Sequence, residues 1–594
     1  MNNYNKLVSF SKCIFLILFL LISSSSFAQY FEFSWSDQYK YANNKDGFFN
    51  GFINSNDQFI YSLNVNYAKS KLHSNEKVKL IAHNKKTMAE TAFVNLKGFA
   101  ENKSSKKDYD SLNYFKTIVL NDRILVFWKK LINTDTIKTE ILYVESFKVG
   151  LERDKSLTQI YCSSQPVDER QSDFSPTTLV VFSNKENGGI VIGSEIYEKD
   201  RKCVFNYQVL NSQLVTKNKD RVVFPINSEL HLNGQYGLYE LGNDGNIYIR
   251  SKISISKEDQ VIKYNKRLKS SLLVMVVNPT LKKQICIEMK DNQKIITDFN
   301  FVVTPNKTKF YGFFGDLQKD PSGVDKQGIF YTEVDNDTLV NNPLKYTYFE
   351  KSSLNKLFPK SKGGRKNSKD PIKQLTEEEL NTRFDIENIF LMEDESVVLF
   401  FTRKYNYNEI TSSSGLDGRN EYKTDFYCEK NNVSAIRFSE NGQIMWTSSI
   451  DRSITYDGTD ITDLNIIQKF NKFYVIYGQE EMEDKAVDNK EVIEYAIFDP
   501  NSGRPKKYTF PVNGEDVLED DKKYVDVKSV KTFDDAFYFN KMIVKQKVVW
   551  NIANVLLVPT IYYSVLSGNT KYGKGDLSVL NLMEGKPNKK KSKK

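Results

Sequence analysis

The sequence predicts an all-β chain built from a repeated pair of short strands, and three observations carry the prediction. An apolar run, a turn of Asn, Asp, Gly or Ser, and a second run rich in Val, Ile, Phe and Tyr recur eight times along 594 residues. The second runs begin at Ile60, Ile124, Ile190, Ile247, Phe310, Val397, Phe473 and Ala536, 57 to 87 residues apart. Hydrophobic residues make up 40% of the chain and aromatics 13%, enough apolar surface to bury a core and too much for a disordered chain.

The turns before the second runs include Asn121-Asp122, Asn187-Gly188, Asn243-Asp244-Gly245, Asp394-Glu395-Ser396 and Asn471-Lys472, residue types that accept tight-turn backbone angles. Most units then continue through a variable loop into another pair of runs. Ala435 to Trp446 turns at Asn441-Gly442, and Tyr495 to Gly503 ends on Asn501-Ser502-Gly503. Each unit therefore reads as four antiparallel strands. Four-stranded units stacked face to face are the blades of a β-propeller, which leaves only short edges exposed. The expectation is a β-propeller-like domain over 29–547 with eight units, alternatively seven; tandem sandwiches are the other architecture with this strand content.

The segment Ser439-Glu-Asn-Gly-Gln-Ile-Met-Trp446 resembles the blade repeat of quinoprotein-like (PQQ-type) propellers, in which a Gly closes the outer hairpin and a Trp four positions on packs between blades. The resemblance covers one unit; four residues beyond Gly503 stands Lys507. It implies the fold and brings no quinone site, because no quinone-binding residues accompany it, and no cofactor is expected. The same segment is similar to a sialidase Asp-box, with Asn441 at the acidic position and the Gly one place early. WD-type and kelch-type signatures are absent.

The ends of the chain read differently from its body. Lys6 and Lys12 precede an apolar stretch from Cys13 to Ile22, and Ser26 and Ala28 fit a signal-peptidase site, so residues 1–28 read as a signal peptide with cleavage before Gln29. An exported protein is expected: periplasmic, attached to the cell surface or extracellular. Removing 1–28 lowers the net charge from +9 to +7, and the last nine residues hold six Lys, so the folded body is close to neutral. Nucleic acid is not an expected partner. The Lys-rich tail, 581–594, reads as disordered, with at most weak contact to anionic surfaces. Residues 548–580 read as closing strands or a membrane-associated segment, Val548 to Leu566 being uncharged. Cys162, Cys203, Cys286 and Cys428 lack a CxxC spacing, and three His leave little for metal or acid–base chemistry. No nucleophile elbow, zinc-protease or phosphate-loop motif is present.

The surplus length of the longer units falls in two connection classes, from second to third strand and from one unit to the next, which open on one face of a propeller. The insertion 350–384 carries Lys360, Lys362, Arg365 and Lys366 around Gly363-Gly364, then Thr376-Glu-Glu-Glu379 as the start of a short helix. A loop at 403–424 carries Tyr405, Tyr407 and Tyr422, and a loop at 478–491 carries Glu480 and Glu481. Basic, aromatic and acidic side chains on a common rim are the candidate binding residues for a protein or glycan; pairing of these loops with one another is the bland alternative. A non-catalytic binding scaffold is the favoured function. A propeller hydrolase working on glycans through carboxylates in the central funnel is the alternative.

Overall fold

A computed structural model describes residues 34–35, 39–40, 48–55, 58–66, 77–97, 112–120, 123–134, 136–148, 150–166, 179–184, 187–197, 203–225, 228–229, 239–254, 270–289, 294–316, 326–350, 357, 383–414, 420–457, 464–477, 492–511, 522–533, 536–548 and 564–576. Every regular element among them is a strand. The strands form eight antiparallel sheets in chain order, and side chains are described in seven of these.

Each sheet is a blade whose strands run from the inner edge outward. Blade 1 comprises Phe48–Ser55, Phe59–Asn66, Lys77–Asn84 and Glu90–Lys97. Blade 2 comprises Asn113–Leu120, Arg123–Asn133, Ile137–Lys148 and Arg153–Pro166, and blade 3 Leu179–Asn184, Gly189–Tyr197, Cys203–Leu210 and Thr216–Val223. In blade 4 two short strands, Ser228–Glu229 and Tyr239–Leu241, share the inner edge of Ile247–Ser254, followed by Ser270–Asn278 and Lys283–Met289. Blade 5 is Lys294–Val303, Lys307–Asp316, Lys326–Asp335 and Lys345–Tyr348; blade 6 is Arg383–Leu391, Val397–Ser414, Asn420–Phe438 and Ile444–Asp457. Blade 7 is Leu464–Lys469, Lys472–Tyr477, Val492–Phe498 and Pro505–Pro511. All eight second runs read from the sequence are second strands of blades.

Blade 8 joins the two ends of the chain. Lys522–Phe533, Ala536–Val548 and Ser564–Asp576 come from the C-terminal side, and Ser34–Trp35 and Tyr39–Lys40 pair onto the outer edge of Ser564–Asp576. The inner strand of blade 1 lies beside that of blade 8, so the ring closes. Val548 and Ser564 are register partners, and 549–563 lies outside the described residues.

In blades 1 to 7 the second strands are mainly apolar because both of their faces are covered by neighbouring blades. Val397 to Phe401 and Ile124 to Phe127 are fully buried. Each hydrophobic cluster straddles a seam between successive blades, from Tyr61 with Trp128 at the first to Phe400 with Phe498 at the sixth. A fully buried Val, Leu or Phe contributes about 1.5–3 kcal/mol, so the seams dominate stability. The outer strand of blade 3, Thr216–Val223, is by contrast half exposed and mostly polar.

The turns from third to fourth strand hold a second repeat that sequence reading did not find. One residue in each of blades 1 to 7 has a left-handed backbone: Met88, Leu151, Leu214, Lys282, Leu339, Gly442 and Gly503. The first turn residue fixes the loop by accepting backbone N–H groups, as Asn84, Asn211, Asp335 and Asp499 do through Oδ1. Met88, Leu151 and Leu339 send buried side chains back under the turn. At Gly442 and Gly503 a Cβ would lie 2.5 Å from the rings of Tyr331 and Trp446, which come from the preceding blade.

Candidate functional site

The topology puts 350–382, 415–419 and 478–491 in the connection classes expected: outer strand of blade 5 to inner strand of blade 6, and second to third strand of blades 6 and 7. These connections leave from the same ends of their antiparallel strands. Lys360, Lys362, Arg365, Lys366, Glu480 and Glu481 lie outside the described residues, as does the expected helix start at Thr376. Leu357, within the same insertion, is buried in the seam between blades 5 and 6, and its carbonyl accepts a hydrogen bond of 3.0 Å from Ser434 Oγ.

The expected loop at 403–424 is instead a hairpin arm. Val397–Ser414 and Asn420–Phe438 stay paired without interruption from Arg403↔Asn431 to Ser414↔Asn420, and Ile444–Asp457 follows as far as Tyr427↔Asp457. The segment is rich in Thr, Tyr, Ile and Ser, residues that suit a strand, and has its turn-forming glycines at 415 and 418. Residues directly opposite one another share a face. Tyr405 pairs with Glu429 and Tyr407 with Tyr427 on one face, while Tyr422 pairs with Ser412 on the other. The side chains of these three tyrosines are outside the described residues.

A second candidate was not visible in the sequence because it is assembled across a seam. The groove between the outer halves of blades 2 and 3 encloses about 790 Å³, within the usual range of ligand sites. One wall is the outer strand of blade 2, from Gln159 to Ser164; the floor is Ser194, Ile196, Asn206 and Gln208 of blade 3, and the far wall is Lys219 to Arg221. Deeper in the seam the contact is apolar, with Tyr161, Leu142 and Val144 against Ile190, Ile192 and Leu210. The groove begins where these give way to short polar residues. Ser163 Oγ donates to Ser194 Oγ at 2.8 Å, Ser194 lies 2.9 Å from Tyr161 Oη, and Tyr161 donates to the Asn206 carbonyl at 3.2 Å. Gln208 Nε2 donates to the Ile160 carbonyl at 2.8 Å. Burial pushes the Tyr161 hydroxyl above its ordinary range.

Other buried polar groups serve the frame. Ser62 Oγ and His83 Nε2 are 2.8 Å apart, the geometry of a nucleophile and its base, but both are fully buried in blade 1 and no substrate reaches them. Desolvation holds His83 down at about 4, so it is neutral near pH 7. In blade 2 Glu140 pairs with Lys129 at 3.2 Å, and Glu145 accepts from Trp128 Nε1 at 2.9 Å. Glu195 of blade 3 is pushed up to about 8 by burial and accepts a hydrogen bond from Tyr239 of blade 4. Among the described residues no cluster of three or more His, Cys, Asp or Glu could hold a metal ion. Cys162 and Cys286 are exposed thiols, and Cys203 is buried.

No family model matches the chain, and no curated protein matches it. Among solved structures it is similar to the β-propeller domain of the trilobed protease from Pyrococcus furiosus, at 8% identity and a TM-score of 0.31 over 79% of this chain and 100% of that one. It is also similar to the WD40 domain of SCAP from fission yeast, at 6% identity and a TM-score of 0.30 over 88% of this chain and 97% of that one. Hydrazine synthase from Kuenenia stuttgartiensis is similar at 10% identity and a TM-score of 0.25, over 48% of this chain and 63% of that one. Likeness at this level brings no activity, ligand or partner to this chain, whose β-propeller fold stands on its own strand order.

Proposed function

We propose that the chain is an exported binding scaffold that holds a protein or glycan partner at the face where its longest connections emerge, without chemistry of its own. The observation that carries this reading is the arm of blade 6. Its strands of 18 and 19 residues run 12 residues past the blade body, about 40 Å at the usual rise, whereas the matching strands of blade 7 have 6 and 7. A paired arm satisfies its own backbone groups and has a fixed backbone, which costs less entropy on binding than a loose loop. The basic group Lys360, Lys362, Arg365 and Lys366, the arm tyrosines Tyr405, Tyr407 and Tyr422, and the acidic pair Glu480 and Glu481 are assigned to the same face by connection class. The Lys-rich tail adds weak, salt-sensitive contact with anionic surfaces.

The test is a glycan array and crosslinking on the exported fraction with two forms of the chain, intact and with 404–430 replaced by a two-residue Asn-Gly turn. The arm-less chain should keep its thermal stability and lose its partner, and changing the four basic residues to Ala should weaken binding at least tenfold. Undiminished binding by both variants would place the partner elsewhere. N-terminal sequencing should find Gln29 first; retention of 1–28 would remove export by cleavage.

A further inference from the structure

We infer that the groove between blades 2 and 3 is a docking site for an extended, acidic peptide segment that adds to blade 2 as a fifth strand. The argument begins with which residues line it. Along Arg153–Pro166 six consecutive residues, Gln159 to Ser164, face the groove. Successive side chains of a strand point to opposite sides, so a groove lying on a sheet face meets alternate residues only. Contact with every residue means that the groove runs along the strand's edge. The floor has the alternating signature, Ser194 and Ile196 on one strand and Asn206 and Gln208 on the next.

Among the described residues that edge is open in the sheet order, since Arg153–Pro166 ends the blade and has Ile137–Lys148 as its one strand neighbour. Register shifts break its lower half as far as Tyr161, and from Tyr161 to Pro166 the pairing is regular. The carbonyl of Ile160, at the last shift, is already taken by Gln208. Above it lie six regular residues, about 20 Å of edge, in which alternate residues turn their C=O and, Pro166 excepted, their N–H groups outward as a template for one more strand. The chain uses the same device on itself, where Ser34–Trp35 and Tyr39–Lys40 pair onto the edge of Ser564–Asp576.

Charge selects the occupant. Lys219 and Arg221 line the far wall with exposed side chains, two cations to the one carboxylate there, Asp220, which accepts the Arg221 backbone N–H at 2.9 Å. A segment with Asp or Glu at alternate positions would direct them toward these cations and pair its backbone with the opposite wall. An oligosaccharide fits less well, because the floor hydroxyls already bond one another and the one aromatic ring, Tyr161, is buried.

The full chain would be tested on an array of capped hexapeptides alternating Thr or Val with Asp or Glu, with Lys counterparts, alternately N-methylated copies and hexagalacturonate as the glycan. The expected result is binding of acidic peptides, at least tenfold weaker binding of Lys counterparts, loss on N-methylation, and slowed hydrogen exchange confined to 161–166. The double variant K219E/R221E, on an exposed strand, should reverse the preference to Lys peptides. Alkylating Cys162 in a C286S/C428S background should block binding without a change in the edge strand's sequence. Failure of every peptide to slow exchange at 161–166, equal binding of N-methylated copies, or protection by hexagalacturonate instead would each overturn the proposal.

Discussion

The seam between blades 6 and 7 and the seam between blades 2 and 3 start alike and end differently. Both have an apolar inner half, with Phe400 and Phe473 at one and Phe127 and Ile192 at the other. At blades 6 and 7 the outer half is sealed at the third-to-fourth-strand turn. Trp446 lies over Gly503 and donates to the Pro500 carbonyl at 2.9 Å, and the buried Arg437 guanidinium reaches the same carbonyl at 2.8 Å as well as Asp394 and Ser396 of its own blade. At blades 2 and 3 the outer half, farther along the strands from that turn, holds Ser163, Ser194, Asn206 and Gln208, which are too short to meet across the gap except where they bond directly, and a groove remains. Large planar side chains close a seam and short polar ones leave it open. The fold tolerates either because the inner half carries most of the buried apolar area.

The largest effect that would sharpen this contrast comes from the strand Gly189–Tyr197, which borders both kinds of seam. Ser194 faces the groove, and the next residue, Glu195, points the other way into the closed seam with blade 4, where burial raises it from its ordinary 4.5 to about 8. Between those values the folded chain keeps a proton that the unfolded chain has released, so stability falls as pH rises from 4.5 to 8, by about 5 kcal/mol at 1.36 kcal/mol per unit. His83 works in the opposite sense. Lowered from 6.5 to about 4, it leaves the unfolded chain with the extra proton in that window, and stability falls by about 3 kcal/mol as pH drops from 6.5 to 4. Urea unfolding from pH 4 to 9 should show a maximum between about 4.5 and 6.5. E195Q should remove the alkaline limb and H83Q the acid one; an alkaline limb unchanged in E195Q would mean that seam 3/4 admits water as seam 2/3 does.

A double-mutant cycle tests whether the two ways of plugging a third-to-fourth-strand turn are equivalent. G503L places the type of side chain that Leu339 has, at a similar backbone angle, where the Trp446 ring already stands. It should cost about 3 kcal/mol from overpacking and the left-handed backbone. W446A, which opens a half-buried space, should cost about 2–3 kcal/mol. Together they should cost less than their sum by about 1–2 kcal/mol, because the new Leu enters the vacated volume. Additive losses in chemical denaturation would break the equivalence, and with it the view that blades 2 and 5 solve with their own leucine what blades 6 and 7 solve with a neighbour's ring.

The second strands of blades 1 to 7 were legible in the sequence because burial on both faces writes them as mainly apolar runs such as Val397 to Phe401. The Gly442 to Trp446 spacing was legible for a similar reason, and the packing it implied is found at Gly503 of the next blade. The turn repeat was not, because left-handed Met88, Leu151 and Leu339 carry none of the glycine signal by which such positions are recognised. The blade 6 arm was taken for a loop because its polar residues hide a regular register. The groove was illegible in principle: Tyr161, Ser194 and Asn206 are 33 and 45 residues apart from first to second and first to third, and only the stacking of two blades makes them neighbours.

The smallest predicted effect bears on whether seam 2/3 is open by construction or merely underpacked. Tyr161 is the last large side chain before the groove, and its hydroxyl joins Ser194 to the Asn206 carbonyl. In Y161F the ring still closes the apolar half, Ser194 keeps its bond to Ser163 at 2.8 Å, and the groove offers water to the Asn206 carbonyl. Because the orphaned acceptor is resolvated, the loss should be about 1 kcal/mol, the net worth of a hydrogen bond near solvent, and not the 2–3 kcal/mol of a buried group left unsatisfied. Equilibrium unfolding of Y161F separates the two. A cost near 3 kcal/mol would mean that water does not reach Asn206, that the floor belongs to the sealed core, and that the edge of blade 2 is not reachable by a docking strand at that depth.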